Sequence, residues 1–287
     1  MVMTAQHEPV PLGAAPDYGL PEREPGQVRL ALRDIAGGLA RWPLWSLLAL
    51  QDIRQRYRRS VLGPLWLTIS MGVLVSALGL LYSGLFKQPV ETFVPYLAAG
   101  FIVWGLVSAL VSDGCQCLIL AERTIRQIPL PLTVHVLRAV TANLIVAAHN
   151  ALIFVAAALI FQVPVTAYTL LALPGLLLVL LNGLWISMAL GMICARFRDV
   201  PQIVGSVLQL GMFLTPVFWT LDALPPDRLA LALWNPFFHL LQVVRAPLLG
   251  GAPEAMSWWV AGGMAAAGLA ATFALFVRCR RRIAYWV

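Results

Sequence analysis

Long apolar stretches separated by short polar breaks run through most of the chain. A helix needs about 20 consecutive apolar residues to cross a bilayer. Six stretches reach that length, and they occupy residues 61–86, 94–120, 134–161, 170–195, 200–221 and 256–277. The pattern predicts an all-α integral membrane protein with six transmembrane helices. An even number of crossings places both termini on the same side of the membrane.

Basic residues are distributed unevenly between the two sides of this predicted bundle. Lysine and arginine accumulate in the cytoplasmic loops of membrane proteins. The opposite side carries Lys87, Arg228 and Arg245. The side of the termini carries fourteen arginines, which are Arg41, Arg54, Arg56, Arg58, Arg59, Arg123, Arg126, Arg138, Arg196, Arg198, Arg278, Arg280, Arg281 and Arg282. We therefore expect both termini in the cytoplasm and the protein in the cytoplasmic (inner) cell membrane.

The residues before the first apolar stretch divide into two parts. Residues 1–40 mix prolines with charged residues, which predicts a disordered cytosolic tail. In residues 41–60, apolar positions such as Ala49 and Ile53 share one helical face, which predicts an amphipathic helix lying along the membrane interface. Its predicted interface anchor consists of Arg56, Tyr57, Arg58 and Arg59.

The break before the last apolar stretch is itself apolar. Prolines and glycines divide residues 222–255 into pieces too short to cross a bilayer. Irregular backbone at membrane depth persists only where protein or a water-filled cavity surrounds it. A re-entrant hairpin on the non-cytoplasmic side is therefore predicted. A loop lying on the outer membrane interface is the alternative.

Composition and charge exclude several other classes of protein. The chain is 60% hydrophobic and 11% charged, and its net charge of +7 comes from arginines at the ends of apolar stretches, not from one polar face. This arrangement does not predict a nucleic-acid-binding protein. The sequence has no phosphate-binding loop for ATP, since Lys87 is its only lysine. It shows neither paired carboxylates nor metal-ligand spacing, so we expect no catalytic residues, no metal site and no cofactor in this chain.

Several motifs in a fixed order carry a family resemblance. They are RRSVLGPLW at residues 58–66, LTPVFW at 214–219 and NPFFHLLQVVRAPLLG at 235–250. Together with the spans, they resemble the permease subunits of type-2 ABC exporters over residues 41–287, specifically the branch that exports O-antigen, capsule and similar polysaccharides. Residues 61–287 would form the transmembrane domain.

The resemblance implies a function and a set of partners. The chain would form a channel with a second copy of itself and export a lipid-linked polysaccharide through the membrane. Two copies of a cytosolic ATP-binding subunit, which hold ATP and Mg, would drive the export. Membrane lipids would surround the channel. The alternatives are an exporter of small molecules or lipids from the same superfamily, and a non-catalytic membrane assembly factor of glycan synthesis.

A short helix between the second and third spans is a candidate contact with the ATP-binding subunit. It combines charged and apolar residues, and Pro129 and Pro131 end it. The family resemblance implies that this helix docks on the ATPase as a coupling helix. Its candidate coupling residues are Glu122, Arg123, Ile125 and Arg126.

Weakly polar stripes on two spans are candidates for the channel wall. At helical spacing, the first stripe includes Thr68, Ser76 and Ser83. The second consists of Gln202, Ser206, Gln209 and Phe213. Hydroxyls, amides and aromatic faces suit the weak binding of a moving sugar chain, whereas close packing of small residues between helices is the alternative.

Three aromatic residues near the outer side are candidates for an exit gate. They are Phe218, Trp219 and Trp234. Aromatic faces pack against the C–H surfaces of sugars, so these rings could close around a departing polysaccharide. The alternative is an aromatic belt at the outer membrane interface.

Overall fold

The computed structural model describes residues 26–58, 65–223, 225, 229–252 and 254–287, and the regular structure in these residues is helical throughout. Two short 3₁₀ helices, Ala167–Leu171 and Leu221–Ala223, accompany the α-helices. The α-helices are α1 (Gln27–Ala40), α2 (Trp42–Tyr57), α3 (Leu65–Phe86), α4 (Val90–Gln116), α5 (Glu122–Gln127), α6 (Leu132–Ile160), α7 (Ala172–Arg196), α8 (Val200–Leu214), α9 (Leu229–Leu233), α10 (Pro236–Leu248) and α11 (Ala255–Trp286).

Five helical segments are long and apolar enough to cross a membrane. They lie in α3, α4, α6, α7 with the 3₁₀ turn before it, and α11. The predicted all-α fold is therefore confirmed, and five of the six predicted spans have a matching helix.

The predicted span over residues 200–221 is wrong as a continuous helix. α8 has 15 residues and ends at Leu214. At 1.5 Å per residue it is about 22 Å long, which is shorter than the hydrocarbon core of about 30 Å. Pro216 explains the early end, because it disfavours helical geometry at Thr215 and has no amide hydrogen to donate.

α4 is the central helix of the bundle. Most of its side chains are buried, including those of Phe93, Leu97 and Leu110. α3, α6, α7, α8 and α10 all pack against it. Small residues permit the closest approach: a Cβ atom on Gly114 would lie 2.5 Å from the Cα atom of Ser187 in α7. Such contacts are typical of membrane helices, whose association relies on close packing.

The predicted disordered tail is wrong for residues 27–40, which form α1; residues 1–25 lie outside the described residues. α1 packs against α6 and α11, and Asp34 is only 3% exposed. Its carboxylate accepts hydrogen bonds from the backbone amides of Leu132 (3.2 Å) and Thr133 (3.1 Å). It also accepts the Thr133 hydroxyl at 2.8 Å and pairs with Arg280 of α11 at 3.1 Å.

The contacts of Asp34 explain why α1 is ordered. The first amides of a helix lack intrahelical partners, and a negative charge there is favourable. Pro131 precedes α6 and makes no side-chain cap. Asp34 supplies that cap from another helix. A search for apolar periodicity overlooks such a residue because its partners are distant in the sequence.

α2 packs along the α1-proximal half of α6. Its residues Ala49 and Ile53 are buried, as the amphipathic pattern predicts. Asp52 forms an ion pair with Arg138 of α6, in which Nε and Nη2 of the guanidinium donate to the two carboxylate oxygens. α2 is thus fixed to the bundle by one apolar face and one ion pair.

The segment before the last span is built into the bundle. α10 packs against α4, α7 and α11, and Phe238, Leu240 and Leu241 are buried. Asn235 caps α10 by accepting the amide of Phe237 at 3.0 Å. His239 connects Ser257 of α11 (3.0 Å) with the carbonyl oxygen of Leu233 (2.8 Å). These contacts agree better with a segment enclosed by protein than with a detached surface loop.

Replacing Asp34 with Ala should destabilise the fold. The substitution leaves two amides, one hydroxyl and the guanidinium of Arg280 without this acceptor, and each buried group that loses its partner costs about 1–3 kcal/mol. We expect a clear decrease in the thermal unfolding temperature of the purified protein. Asp199→Ala is a matched control, because Asp199 is exposed and precedes α8 without a side-chain cap. Equal unfolding temperatures for the two variants would contradict the capping role.

Candidate transport pathway and coupling surface

α8 is attached to the bundle along one side and open along the others. Leu208 and Gly211 are buried against α4, where a Cβ atom on Gly211 would lie 3.2 Å from Trp104. The predicted polar stripe, by contrast, is exposed over its whole length. It comprises Gln202, Ser206, Gln209 and Phe213.

The exposed surface of α8 is itself divided lengthwise. At about 100° per residue, Gln202, Ser206 and Gln209 fall within about 60° of one another. The large exposed apolar side chains lie beside them, roughly 100° further around the helix; they are Ile203, Val207, Leu210 and Leu214. One helix therefore presents a polar stripe, an apolar face and a packed face.

The stripe on α3 is less uniform. Ser76 is exposed, and the buried Thr68 hydroxyl oxygen has no hydrogen-bond partner among the described residues. Ser83 is buried and donates to the carbonyl oxygen of Leu80 at 3.0 Å. Thr68 and Ser76 line a largely apolar groove of 540 Å³ with residues of α4 and α6. Within one protomer these two α3 residues thus share a groove with α4 and α6, and α8 contributes nothing to its lining.

Aromatic rings connect the C-terminal ends of α3 and α8. Phe218 packs edge-on against Phe213 at 5.7 Å between ring centroids and stacks on Tyr82 at 6.0 Å. The indole nitrogen of Trp219 donates to the carbonyl oxygen of Phe213 at 3.1 Å. Two of the three predicted gate residues therefore belong to one cluster. Trp234 follows α9 and is 84% exposed, outside these ring contacts.

A buried arginine holds the backbone beside this cluster. Arg245 of α10 is 2% exposed and donates to the carbonyl oxygen of Pro216 and to Gln242 Oε1. Its guanidinium carbon lies 4.1 Å from the ring centroid of Tyr96, a cation–π contact. The Tyr96 hydroxyl is within hydrogen-bond distance of the carbonyl oxygens of Trp219 (2.8 Å) and Pro216 (3.2 Å). Arg245 and Tyr96 together fix the chain where α8 ends.

Sequence reasoning missed this role of Arg245. The positive-inside count treated Arg245 as an outer-loop charge, whereas the structure buries it. An arginine inside the apolar segment HLLQVVRAPLL was the available indication, since buried arginines require polar partners. The partners themselves lie on α4 and after α8, which the local sequence does not reveal.

α5 forms a short arm at the end of the bundle opposite the aromatic cluster. Arg123 is exposed, and Arg126 pairs with Glu122 at 3.1 Å across one helical turn. Nε of Arg126 also donates to the main-chain carbonyl oxygen of Val287 at 3.0 Å. Ile125 is partly buried and packs against the core of this protein, and its coupling role stays a prediction.

The predicted interface anchor lies at the end of α2. Arg56 and Arg58 are exposed and Tyr57 is half-buried, whereas Arg59 lies outside the described residues.

Comparison with known proteins agrees with this architecture. The sequence profile of the ABC-2 type transporter family matches residues 43–249. The chain belongs to the ABC-2 type transporter family. It is also 25% identical, over 199 residues, to the O-antigen export system permease protein RfbA of Myxococcus xanthus; the alignment covers 68% of this chain and 76% of the relative.

Membership in the ABC-2 family confirms the central part of the sequence interpretation. The protein is a multi-pass membrane protein of a family of transport permease subunits, in which a partner subunit hydrolyses ATP. The similarity to an O-antigen export permease supports the branch that the motifs indicated.

Replacing Arg245 with Met should destabilise this ABC-2 permease. Met keeps much of the side-chain volume but removes the donors to Pro216 and Gln242 and the contact with Tyr96. Hydrogen bonds from a charged group contribute about 1.5–3 kcal/mol. We expect a lower thermal unfolding temperature in detergent. Arg198→Met, at an exposed arginine, should have little effect, and an equal effect of both substitutions would argue against the role assigned to Arg245.

Proposed function

We propose that this protein is the permease subunit of an ABC transporter that exports a lipid-linked polysaccharide, such as an O-antigen or capsule, across the cytoplasmic membrane. Two copies form the channel. Two copies of a cytosolic ATP-binding subunit, with ATP and Mg, supply the energy.

The open, divided surface of α8 is the observation that carries this proposal. Its polar stripe offers two amides, a hydroxyl and the ring of Phe213, which contacts Phe218. The side-chain amides of Gln202 and Gln209 have no partner within the described part of the chain. A second copy facing α8 would enclose the stripe and leave the apolar face for lipid or for the partner helix. Many weak polar contacts suit a polymer that must slide past them.

The proposed topology has six crossings, with α8 as the fifth. The non-helical residues after Leu214, held by Arg245 and Tyr96, complete the short crossing. The arginine distribution supports cytoplasmic termini. α2 lies along the cytoplasmic interface with its anchor at Arg56, Tyr57, Arg58 and Arg59. The α9–α10 segment is the re-entrant hairpin on the outer side.

The aromatic cluster is the proposed exit gate. Phe218 and Trp219 lie at the outer end of the α8 stripe, where a polymer would leave the membrane. Trp234 is exposed and would join them only in the assembled channel.

The function is tested by following lipid-linked and surface polysaccharide in the cells that produce this chain, with and without the chain. Without the chain, the polysaccharide should disappear from the cell surface while its lipid-linked form accumulates inside. Gln202→Leu combined with Gln209→Leu should reduce export severalfold, because the channel wall then lacks both side-chain amides.

Val207→Ala is the matched control, since Val207 is exposed on the apolar face of the same helix. It should support normal export. Normal surface polysaccharide in cells that lack the chain would refute the proposed function. Normal export by the double glutamine variant would remove α8 from the channel wall.

The coupling role of α5 gives a separate prediction. Replacing Glu122 and Arg123 with Ala removes charge from the exposed face of α5 and spares the contact between Arg126 and Val287. We expect the permease to reach the membrane but to capture less ATP-binding subunit in co-purification. Substrate stimulation of the ATPase should fall as well. Arg198→Ala serves as an exposed-arginine control, and unchanged capture and ATPase rate would show that α5 is not the docking element.

A further inference from the structure

A polar cavity lies between α2, α4 and α6, at the end of the bundle that carries α5. Its volume is 340 Å³. Such a volume accommodates a small polar group more readily than a polymer. The polar and charged side chains that line it are Asp52, Gln55, Arg56, Asp113, Gln116, His135 and Arg138.

His135 indicates that the cavity holds a polar occupant. Its side chain lines the cavity and is 3% exposed. Neither ring nitrogen has a hydrogen-bond partner in the part of the chain that the structure describes. Buried polar groups are nearly always hydrogen-bonded, and an exception calls for a bound group or water. A neutral imidazole can donate through one nitrogen and accept through the other.

The charges around the cavity indicate the chemistry of that occupant. Asp52 and Arg138 neutralise one another in their ion pair. Arg56 and Asp113 remain, and neither forms an ion pair within the described residues. The cavity therefore presents one uncompensated positive group and one uncompensated negative group. A zwitterion fits this arrangement, whereas a pyrophosphate would bring excess negative charge next to Asp113.

We propose that this cavity binds the headgroup of a membrane phospholipid that carries a phosphate and a primary ammonium, as in phosphatidylethanolamine. The phosphate pairs with Arg56, the ammonium with Asp113, and His135 hydrogen-bonds to the headgroup. This placement at the cytoplasmic headgroup layer rests on the proposed topology. The headgroup would connect α2 to α4 and α6 beside α5, so membrane composition would influence the coupling end of the permease.

Lipid binding to the full chain tests the proposal without measuring transport. The protein is purified in detergent and titrated separately with phosphatidylethanolamine, phosphatidylcholine and phosphatidylglycerol of identical acyl chains. Native mass spectrometry reports the affinity for the first lipid bound. We expect phosphatidylethanolamine to bind about tenfold more tightly than either of the others, because it alone of the three carries a cationic group that also donates hydrogen bonds to a carboxylate.

Two variants test the ammonium contact and the phosphate contact of the headgroup separately. Asp113→Asn should remove the preference for phosphatidylethanolamine over phosphatidylcholine. Arg56→Gln, at an exposed residue, should weaken the binding of all three lipids to a similar extent, because each lipid carries a phosphate. Glu91→Gln is the control, since Glu91 is an exposed acid at the opposite end of α4.

The wild-type comparison decides the proposal even if Asp113→Asn fails to fold. Equal affinity for the three lipids, or tightest binding of phosphatidylglycerol, would overturn it. Loss of the preference in Glu91→Gln to the same extent as in Asp113→Asn would also overturn it, because the effect would then be independent of the cavity. Normal surface polysaccharide in cells that lack the chain, together with an intact lipid preference of the purified protein, would instead count against the proposed function alone.

Discussion

Every break in a membrane helix exposes backbone groups that lipid cannot satisfy, and this constraint organises the structure. Side chains stabilise three of these breaks, and two of these side chains come from a distant helix. Asp34 of α1 caps the start of α6, and Arg245 of α10 holds the carbonyl oxygen at the end of α8. Asn235 caps α10 and also donates to the Thr215 hydroxyl at 2.9 Å. The irregular segments are therefore as firmly connected to the bundle as the long helices.

α4 is enclosed by other helices, whereas α3 and α8 expose much of their surface. The protein therefore has a packed central helix and two exposed helices. α4 is surrounded on all sides, so it has little freedom to change its contacts. α3 packs against α4 and α6, α8 packs mainly against α4, and both helices expose much of their remaining surface. The exposed surfaces of α3 and α8 are therefore accessible without disturbing the core.

The sequence predicted the long spans and the family, because hydropathy and motif order are local properties. It missed the burial of Arg245, because the partners of that arginine are distant in the sequence, and it placed the end of α8 too late although Pro216 marks that end locally. α1 was missed although it follows the last proline of the tail and more than half of its residues are apolar; the contacts of Asp34 that hold it against the bundle lie about 100 and 246 positions away. Of the candidate site, the stripe on α8 is exposed and Phe218 lies close to Trp219, while their roles as channel wall and exit gate stay predictions. The inward position of Ile125 could not be predicted, since its neighbours come from other helices.

The contacts around α5 determine which helices its movement would reach. Pro129 and Pro131 join α5 to α6 through a short, stiff connection, and Asp34 ties the start of α6 to Arg280 of α11. Arg126 reaches the end of α11 as well, where Arg196 of α7 stacks on Trp286 at 5.2 Å. Packed elements connected in this way move as a rigid body. Because α4 packs against both α6 and α7, a displacement of α5 would thus carry α6, α7 and α11 together, and α8 would follow through its attachment to α4.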